Sequence, residues 1–476
     1  MRKSLVWVGG PACLVLVALA GMWLAPRAAS GQRDSQPGAA SAGDVPDIES
    51  GLGQRGAVRF FEVLPDIHVA TGNGSSFRID TPDGAVIIDT GLVTHAARMR
   101  ELLLGVSDQP VKYLILTHAH PDHVGGAPLW IADGVPVIAG RFFRLRDLEH
   151  RRLGRYRGRR ASVLLSNVMS GGAGSRGTSP GQQRRLRDFP VIESEPIEPD
   201  IVVDDFYTFT LGGVRFEVIW LNGAEGPDAI GVWLPERKII FIGDAFGPNW
   251  FPNLFTLRGE NLRDAFATTE AIDRVLALEP EVLLTGHHGQ FRRAQAGPAA
   301  PLSGREAIRD ALTRTRDAIR YVHDATVAGM NEGKDLWTLM REIELPPELA
   351  ISQVYGRVPW GVRAVYEYYT GWFRYESTTE LFEVPPRDVY PDVAALAGSD
   401  ALAARAEEHL SADRPLEALH LSEIALAGEP EHVAATAARR KALERILETR
   451  GERNFQLRGW LRSRIDALGP AAAGGP

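Results

Sequence analysis

Residues 117–123 read Thr-His-Ala-His-Pro-Asp-His, and no other stretch limits the possible folds so sharply. Four ligand-type side chains, His118, His120, Asp122 and His123, fall within six residues. They follow the apolar run Val111–Leu116, which has the length of a buried strand. Imidazole nitrogen and carboxylate oxygen both suit zinc. In an extended chain His118 and His120 point to the same side. Pro121 then turns the chain, so that Asp122 and His123 can face a neighbouring metal. This one cluster does not fill two sites of about four or five ligands each. The missing ligands are therefore expected at other strand ends. Asp244 follows Ile242-Gly243 after an apolar run, and His287 follows Leu283-Leu284-Thr285-Gly286 in the same way.

The rest of the composition narrows the chemistry. The only cysteine is Cys13, inside an N-terminal apolar segment, so disulfides, thiolate metal sites and cysteine nucleophiles are excluded from the mature protein. The formal net charge of −7 gives no sign of a nucleic-acid partner, which usually needs a basic surface. Arg2 and Lys3 precede an uncharged stretch from Ser4 to Pro26, followed by small residues at Ala28 and Ser30. Residues 1–30 thus read as an export signal, either cleaved or kept as a membrane anchor. The expected location is the periplasm or the outer face of the cytoplasmic membrane. Residues 31–55 are rich in Ser, Gly, Gln and Asp and read as a flexible linker.

From Ala57 to about Gly289 the pattern is α/β, within a catalytic domain placed at 56–300. Val58–Val63, Ser75–Ile79, Ala85–Ile88, Val111–Leu116, Val214–Trp220, Gly231–Leu234, Ile239–Ile242 and Val282–Leu284 are the expected strands. Residues 141–160 hold nine arginines interleaved with apolar residues. They read as a solvated amphipathic helix or an anion-attracting face. Residues 170–183 are Gly/Ser-rich and read as a loop. A helical region is expected over 301–450, followed by a C-terminal helix and tail at 451–476. Ser303-Gly304-Arg305-Glu306 fits a capping box, and Ile308, Ala311, Leu312, Thr315, Ile319 and Val322 follow at helical spacing. Residues 401–449 split into three helical segments at Ser411–Pro415 and Gly428–Pro430, with small residues at Ala418, Ala425 and Ala437. They have the look of paired packing helices, without a clean repeat.

The ordered set Asp89-Thr90-Gly91, His118 to His123, the turn near residue 225, Gly243-Asp244 and Gly286-His287 resembles the metallo-β-lactamase superfamily. That resemblance implies an αββα sandwich with metals at one edge of the two sheets. The superfamily usually has a third histidine in a Gly-His-Thr-Pro-Gly-like turn. Here the residues are Gly223-Ala224-Glu225-Gly226-Pro227-Asp228. Glutamate at this position is similar to the alkyl sulfatase group. Asn253-Leu254-Phe255-Thr256-Leu257-Arg258-Gly259, Arg263-Asp264, His287-His288, Tyr321-Val322-His323-Asp324 and Gly371-Trp372-Phe373 extend the likeness. The later segments resemble that group's helical dimerisation domain, which implies a homodimer formed mainly by residues 303–390.

By this resemblance one zinc takes His118, His120 and Glu225, and the other takes Asp122, His123 and His287. Asp244 bridges them, and Asp89 orients ligands through hydrogen bonds. Two cations lower the pKa of a shared water toward neutrality and so supply hydroxide for hydrolysis. Asn253 and Arg258 are candidates to grip a substrate anion. The metal itself is not fixed by these residues, since such sites also take iron or manganese. In place of a Ser-His-Asn-like segment in the group, this sequence has Pro359-Trp360-Gly361. Tryptophan cannot donate a proton as histidine does. Leaving-group assistance then comes from elsewhere, or the substrate has a better leaving group. Trp360 reads as a pocket wall or as a core aromatic. The expected substrate is a small anionic ester, a sulfate of an apolar alcohol. The alternatives are another ester, a lactone, a thioester or a phosphodiester, or a non-catalytic envelope scaffold.

Overall fold

Near-continuous apolar runs in the central strands give each sheet two buried faces, and the fold stacks two such sheets between helices. The structure is a computed structural model that describes residues 58–164, 195–288 and 301–469, apart from 224, 258 and 452. The segments read as export signal or anchor, as linker and as Gly/Ser-rich loop lie outside the described residues. Among the described residues no helix is long and apolar enough to cross a membrane.

The first sheet contains β1 (Arg59–Leu64), β2 (Ile67–Gly72), β3 (Gly74–Thr81), β4 (Gly84–Ile88), β5 (Val111–Leu116), β6 (Val137–Gly140) and β7 (Ile201–Val203), in that order. The second contains β8 (Phe206–Leu211), β9 (Val214–Trp220), β10 (Ile230–Leu234), β11 (Ile239–Phe241), β12 (Val282–Leu284) and β13 (Leu302–Ser303), with neighbours in sequence order. β4 to β7 run parallel, as do β11 and β12, and the remaining pairs are antiparallel. All eight expected strands are present, within about one residue at most ends. The strands β2, β6, β7, β8 and β13 were not anticipated. Three of these have only two to four residues, too few for a period to show.

Alternation sorts the side chains into three layers. Val86, Ile88, Ile115 and Ile138 meet Phe216, Val218, Val232 and Phe241 between the sheets. Ile87, Leu114, Leu116 and Val137 face outward, against Met99 and Leu103 of α1 (Val93–Leu104). Val124 of α2 (Pro121–Val124), Trp130 of α3 (Ala127–Ile131) and Phe143 of α4 (Phe143–Arg152) complete that layer. On the other side Ile240, Ile242 and Leu283 pack under α6 (Ala265–Ala277), α7 (Arg305–Asn331), α8 (Leu336–Glu342) and α9 (Val358–Thr370). Residues on either side of position 301 therefore share one core. The arrangement is the αββα sandwich expected from the sequence, continued by helices.

α10 (Tyr390–Ala397), α11 (Ser399–Ser411), α12 (Pro415–Gly428) and α13 (Val433–Ile446) form an alanine-rich stack, with Ala406, Ala418, Ala425, Ala435, Ala438 and Ala442 buried. Small side chains let these helices approach closely. Ala437 does not belong to that set, because it lies on the exposed face of α13. The capping box read at Ser303–Glu306 is also absent. Ser303 pairs with Val282 in β13, and Gly304, at φ 97°, is the residue before the helix. The capping position thus falls to a glycine with no side chain, and Ser303 Oγ donates to the Pro301 carbonyl at 3.4 Å. The arginine-rich stretch forms two helices, α4 and α5 (Gly154–Leu164), and is not simply solvated, since Arg146, Asp147, His150 and Arg157 are buried. The last helix, α14 (Phe455–Asp466), lies so close to α5 that a Cβ at Gly459 would stand 1.9 Å from the Leu164 carbonyl oxygen.

One prediction follows from the shared core. Leu312 of α7 is fully buried beside residues of β11 and β12. Leu312→Ala should destabilise the sandwich itself, by about 2–5 kcal/mol. Chemical denaturation followed by tryptophan fluorescence would show this as a lower midpoint. An unchanged midpoint would mean that the helix is not part of that core.

Candidate metal centre

Parallel strands present their C-terminal ends on one edge, and in this fold both sheets do so at the same place. Asp89 follows β4, His118 and His120 follow β5, Asp244 follows β11, and His287 follows β12. Glu225 comes from the connection between β9 and β10, and Asp122 and His123 lie in α2. A hydrogen bond from the Ile230 amide to the Thr117 carbonyl, 2.9 Å, joins the two sheets at this edge. Another, from Gly286 N–H to the Gly243 carbonyl at 2.7 Å, aligns the two turns of the second sheet.

Three overlapping groups have ligand atoms within 4.8 Å of one another: His118, His120 and Glu225; His118, His123 and Asp244; Asp122, His123 and His287. Asp244 Oδ2 lies 2.9 Å from His287 Nε2 and 3.4 Å from His123 Nε2. Its position beside both halves of the cluster is the one that a bridging ligand would need. All seven residues named from the sequence are thus brought together.

The hydrogen bonds around the rings select the tautomers. Asp89 accepts from His123 Nδ1 at 2.8 Å, which leaves Nε2 bare, buried and without a hydrogen-bond partner. Thr117 Oγ1 donates to Asp89 at 2.7 Å, so its lone pair is free to receive His118 Nδ1–H at 3.1 Å. That leaves His118 Nε2 bare as well. His120 directs Nε2 toward Glu260, 3.5 Å away, and Nδ1 toward Glu225, 3.1 Å away. His118 Nε2 and His120 Nδ1 then face each other at 2.9 Å. A proton on His120 Nδ1 joins that pair by a hydrogen bond, and a bound cation would take its place. The donor set therefore fits a metal.

Electrostatics point the same way. Burial and the neighbouring His123 and His120 push His118 well below the usual histidine range. Burial opposes a charge on His120, but Glu260 and Glu225 outweigh it and hold the ring up to about 9. Burial likewise opposes ionisation of Asp244, yet His287 and His123 hold its carboxyl well below the usual range. The cluster keeps its carboxylates charged, and against the effect of burial they hold His120, His123 and His287 above the usual histidine range, so that protons balance the charge where a bound cation would otherwise do so. Arg263 provides further positive charge, with Nη2 2.7 Å from Glu225 Oε1 and 3.1 Å from Glu260 Oε2.

Glu260, Arg263, Asp228 and His150 were not assigned roles from sequence. Asp228 accepts the Ala119 amide at 2.8 Å and so steadies the chain between His118 and His120. His150 lies edge-on to His120, with ring centroids 4.9 Å apart. Arg263 belongs to a segment quoted above only for its resemblance. The loop after Asp244 does return to the cluster, through Glu260 and Arg263. Asn253 is buried on this loop, and neither its amide oxygen nor its amide nitrogen has a hydrogen-bond partner among the described residues. Arg258 lies outside the described residues. Trp360 is half-buried on α9, with the Arg357 guanidinium 5.6 Å from its ring centroid.

Residues 69–287 match the metallo-β-lactamase superfamily, and residues 338–468 match the alkyl sulfatase dimerisation family. The chain thus carries a metallo-β-lactamase superfamily domain followed by an alkyl sulfatase dimerisation region. It is 28% identical over 349 residues to a linear primary-alkylsulfatase of Pseudomonas sp., covering 67% of this chain and 60% of that protein. It is 26% identical over 352 residues to an alkyl/aryl-sulfatase of Saccharomyces cerevisiae, covering 67% and 50%. The chain thus spans about half to three-fifths of the length of these curated relatives. The solved structure of a stereoselective inverting sec-alkylsulfatase from Pseudomonas sp. shares the fold, with a TM-score of 0.71 at 22% identity, covering 87% of this chain and 66% of that one.

The geometry makes one residue decisive for assembly. A Cβ at Gly286 would stand 2.5 Å from His123 Cε1 and 2.6 Å from Asp244 Oδ1. Gly286→Ala should therefore displace both residues, and Asp89→Asn should release the His123 ring. Each is expected to weaken metal binding about 10–100-fold, the usual cost of losing such support. Titration of apoprotein with zinc against a competing chelator measures it. Wild-type affinity in both variants would refute the tautomer scheme.

Proposed function

We propose that this chain is a binuclear hydrolase, with zinc the expected metal, that cleaves sulfate esters of apolar alcohols. The observation that carries the reading is the convergent ligand set with Glu225 beside His118 and His120. Its support comes from relatives named as alkylsulfatases. Metal at these positions supplies Lewis-acid activation of water near neutral pH.

The chain's own residues do the rest. Asp122 and Asp244 hold negative charge against the His287 side, where Nε2 lies 3.5 and 2.9 Å from them. Arg263 neutralises Glu225 and Glu260, so that an anionic ester meets less repulsion. The unpartnered amide of Asn253 is available to an anionic oxygen. Arg258, five residues further along the sequence, carries a guanidinium that can pair two such oxygens. Trp360 offers apolar area and no proton.

Metal analysis of the purified protein should give about two zinc per chain, one for His118, His120 and Glu225 and one for Asp122, His123 and His287. A screen of medium-chain alkyl sulfates beside aryl esters, lactones and phosphodiesters then tests the substrate. Arg258→Ala should cut turnover of the alkyl sulfate about 10²–10³-fold, the usual cost of one charge-stabilising group. Neutral esters should suffer far less. Equal losses on both would replace the sulfate reading with that of a general metallo-hydrolase.

A homodimer and an exported location complete the proposal. Residues 1–30 support export to the periplasm or the outer face of the cytoplasmic membrane. The dimerisation region exposes Tyr368, Tyr369, Trp372, Tyr375 and Phe382 within a short segment. Apolar surface of this kind favours burial against a second copy. Light scattering at micromolar concentration should report a dimer, and the double substitution Trp372→Asp with Phe382→Asp should shift it to monomer. A wild-type monomer, or a dimer unaffected by the pair, would count against this interface.

A further inference from the structure

We propose that His150 is a substrate-contacting residue, a neutral hydrogen-bond donor fixed to meet an oxygen of the anionic ester. This rests on the reading of the site as an anionic-ester hydrolase. His150 stands on α4, in the arginine-rich stretch, and is only 7% exposed. Its ring is edge-on to that of His120 at an interplanar angle of 87°, so it adjoins one residue of the group His118, His120 and Glu225.

Arg157, one helix later, fixes the tautomer. Its Nη1 lies 2.7 Å from His150 Nδ1. A guanidinium has only donors and keeps its proton. Nδ1 must therefore present its lone pair, and the ring proton resides on Nε2. Among the described residues Nε2 has no hydrogen-bond partner. In a side chain this buried, an N–H with no protein acceptor is open to a ligand or water. The guanidinium also polarises the imidazole and so strengthens Nε2–H as a donor. Arg146 and Arg157, both buried, make this wall of the site positive and suited to an anion. The ring cannot take a second proton without setting N–H against N–H at Nδ1. It therefore donates a hydrogen bond without transferring its proton, the role of a neutral imidazole that polarises an oxygen.

The test compares His150→Gln, which keeps an N–H donor, with His150→Leu, which does not. Both are measured as full-length, zinc-loaded protein on a medium-chain alkyl sulfate. The Leu variant should lose about 10²–10³-fold in kcat/KM, while the Gln variant stays within about tenfold of wild type. Metal content should equal wild type in both. Equal losses in the two variants, full activity in the Leu variant, or loss of metal in it would overturn the proposal. A second readout needs no turnover. Long-range proton–nitrogen NMR of the zinc-loaded protein should place the His150 proton on Nε2, with a shift on adding inorganic sulfate. If no sulfate ester is cleaved, that shift still upholds the donor role while the substrate reading fails. A proton on Nδ1, or a signal that sulfate does not move, would refute it.

Discussion

The Asp89 carboxylate accepts from Thr117 N–H, from Thr117 Oγ1 and from His123 Nδ1, at 2.7–2.8 Å. Those three bonds tie the end of β4 to the end of β5 and to α2. Through Thr117 they also orient His118. Asp89 occupies the left-handed region, φ 56°, where a Cβ crowds the backbone, although aspartate tolerates it better than most residues. Such a conformation costs on the order of 1–3 kcal/mol and persists only where its surroundings fix it. Here the Asp89 amide bonds to the Ile115 carbonyl at 2.9 Å, and its own carbonyl receives Ser76 Oγ at 2.7 Å. The strain is held by the sheet and used at the cluster.

The ligands were legible in the sequence because they are local. His118 to His123 lie in one turn of chain, and Asp244 and His287 each follow an apolar strand directly. What surrounds them was not legible. Glu260, Arg263 and His150 reach the site from a long loop and from a helix, where neither period nor spacing marks a contact with His120. The same limit explains the errors in the helical part. The Ser303 to Glu306 pattern matches a cap locally, but the capping position falls to Gly304, which has no side chain. Ala437 and Ala438 are equal as sequence, and only the angle at which α13 meets its neighbours buries one of them. The arginines of α4 and α5 read as a solvated face because buried and exposed members share one residue type.

Two segments from opposite sides make the walls of the cluster. The loop after Asp244 brings acids and Arg263, and α4 with α5 brings His150 and Arg157. They meet where Arg160 Nη2 donates to the Leu257 carbonyl at 2.8 Å. The strand ends thus provide fixed ligands, while these walls set the charge and shape that a substrate meets. This division is common where a rigid scaffold carries variable loops.

The close approach of Gly459 to Leu164 has a consequence for biosynthesis. Domains tend to fold in order as the chain is made, from the N-terminus onward. The strand ends that carry the ligands, and the helices α7 to α9 that share their core, all precede α14. The helix that seats α5, and with it the Arg157 side of the cluster, is translated near the end of this sequence. A nascent or C-terminally trimmed chain would therefore hold its ligands before the wall beside them is braced. The order of synthesis separates acquisition of the metal-binding edge from completion of the cleft around it.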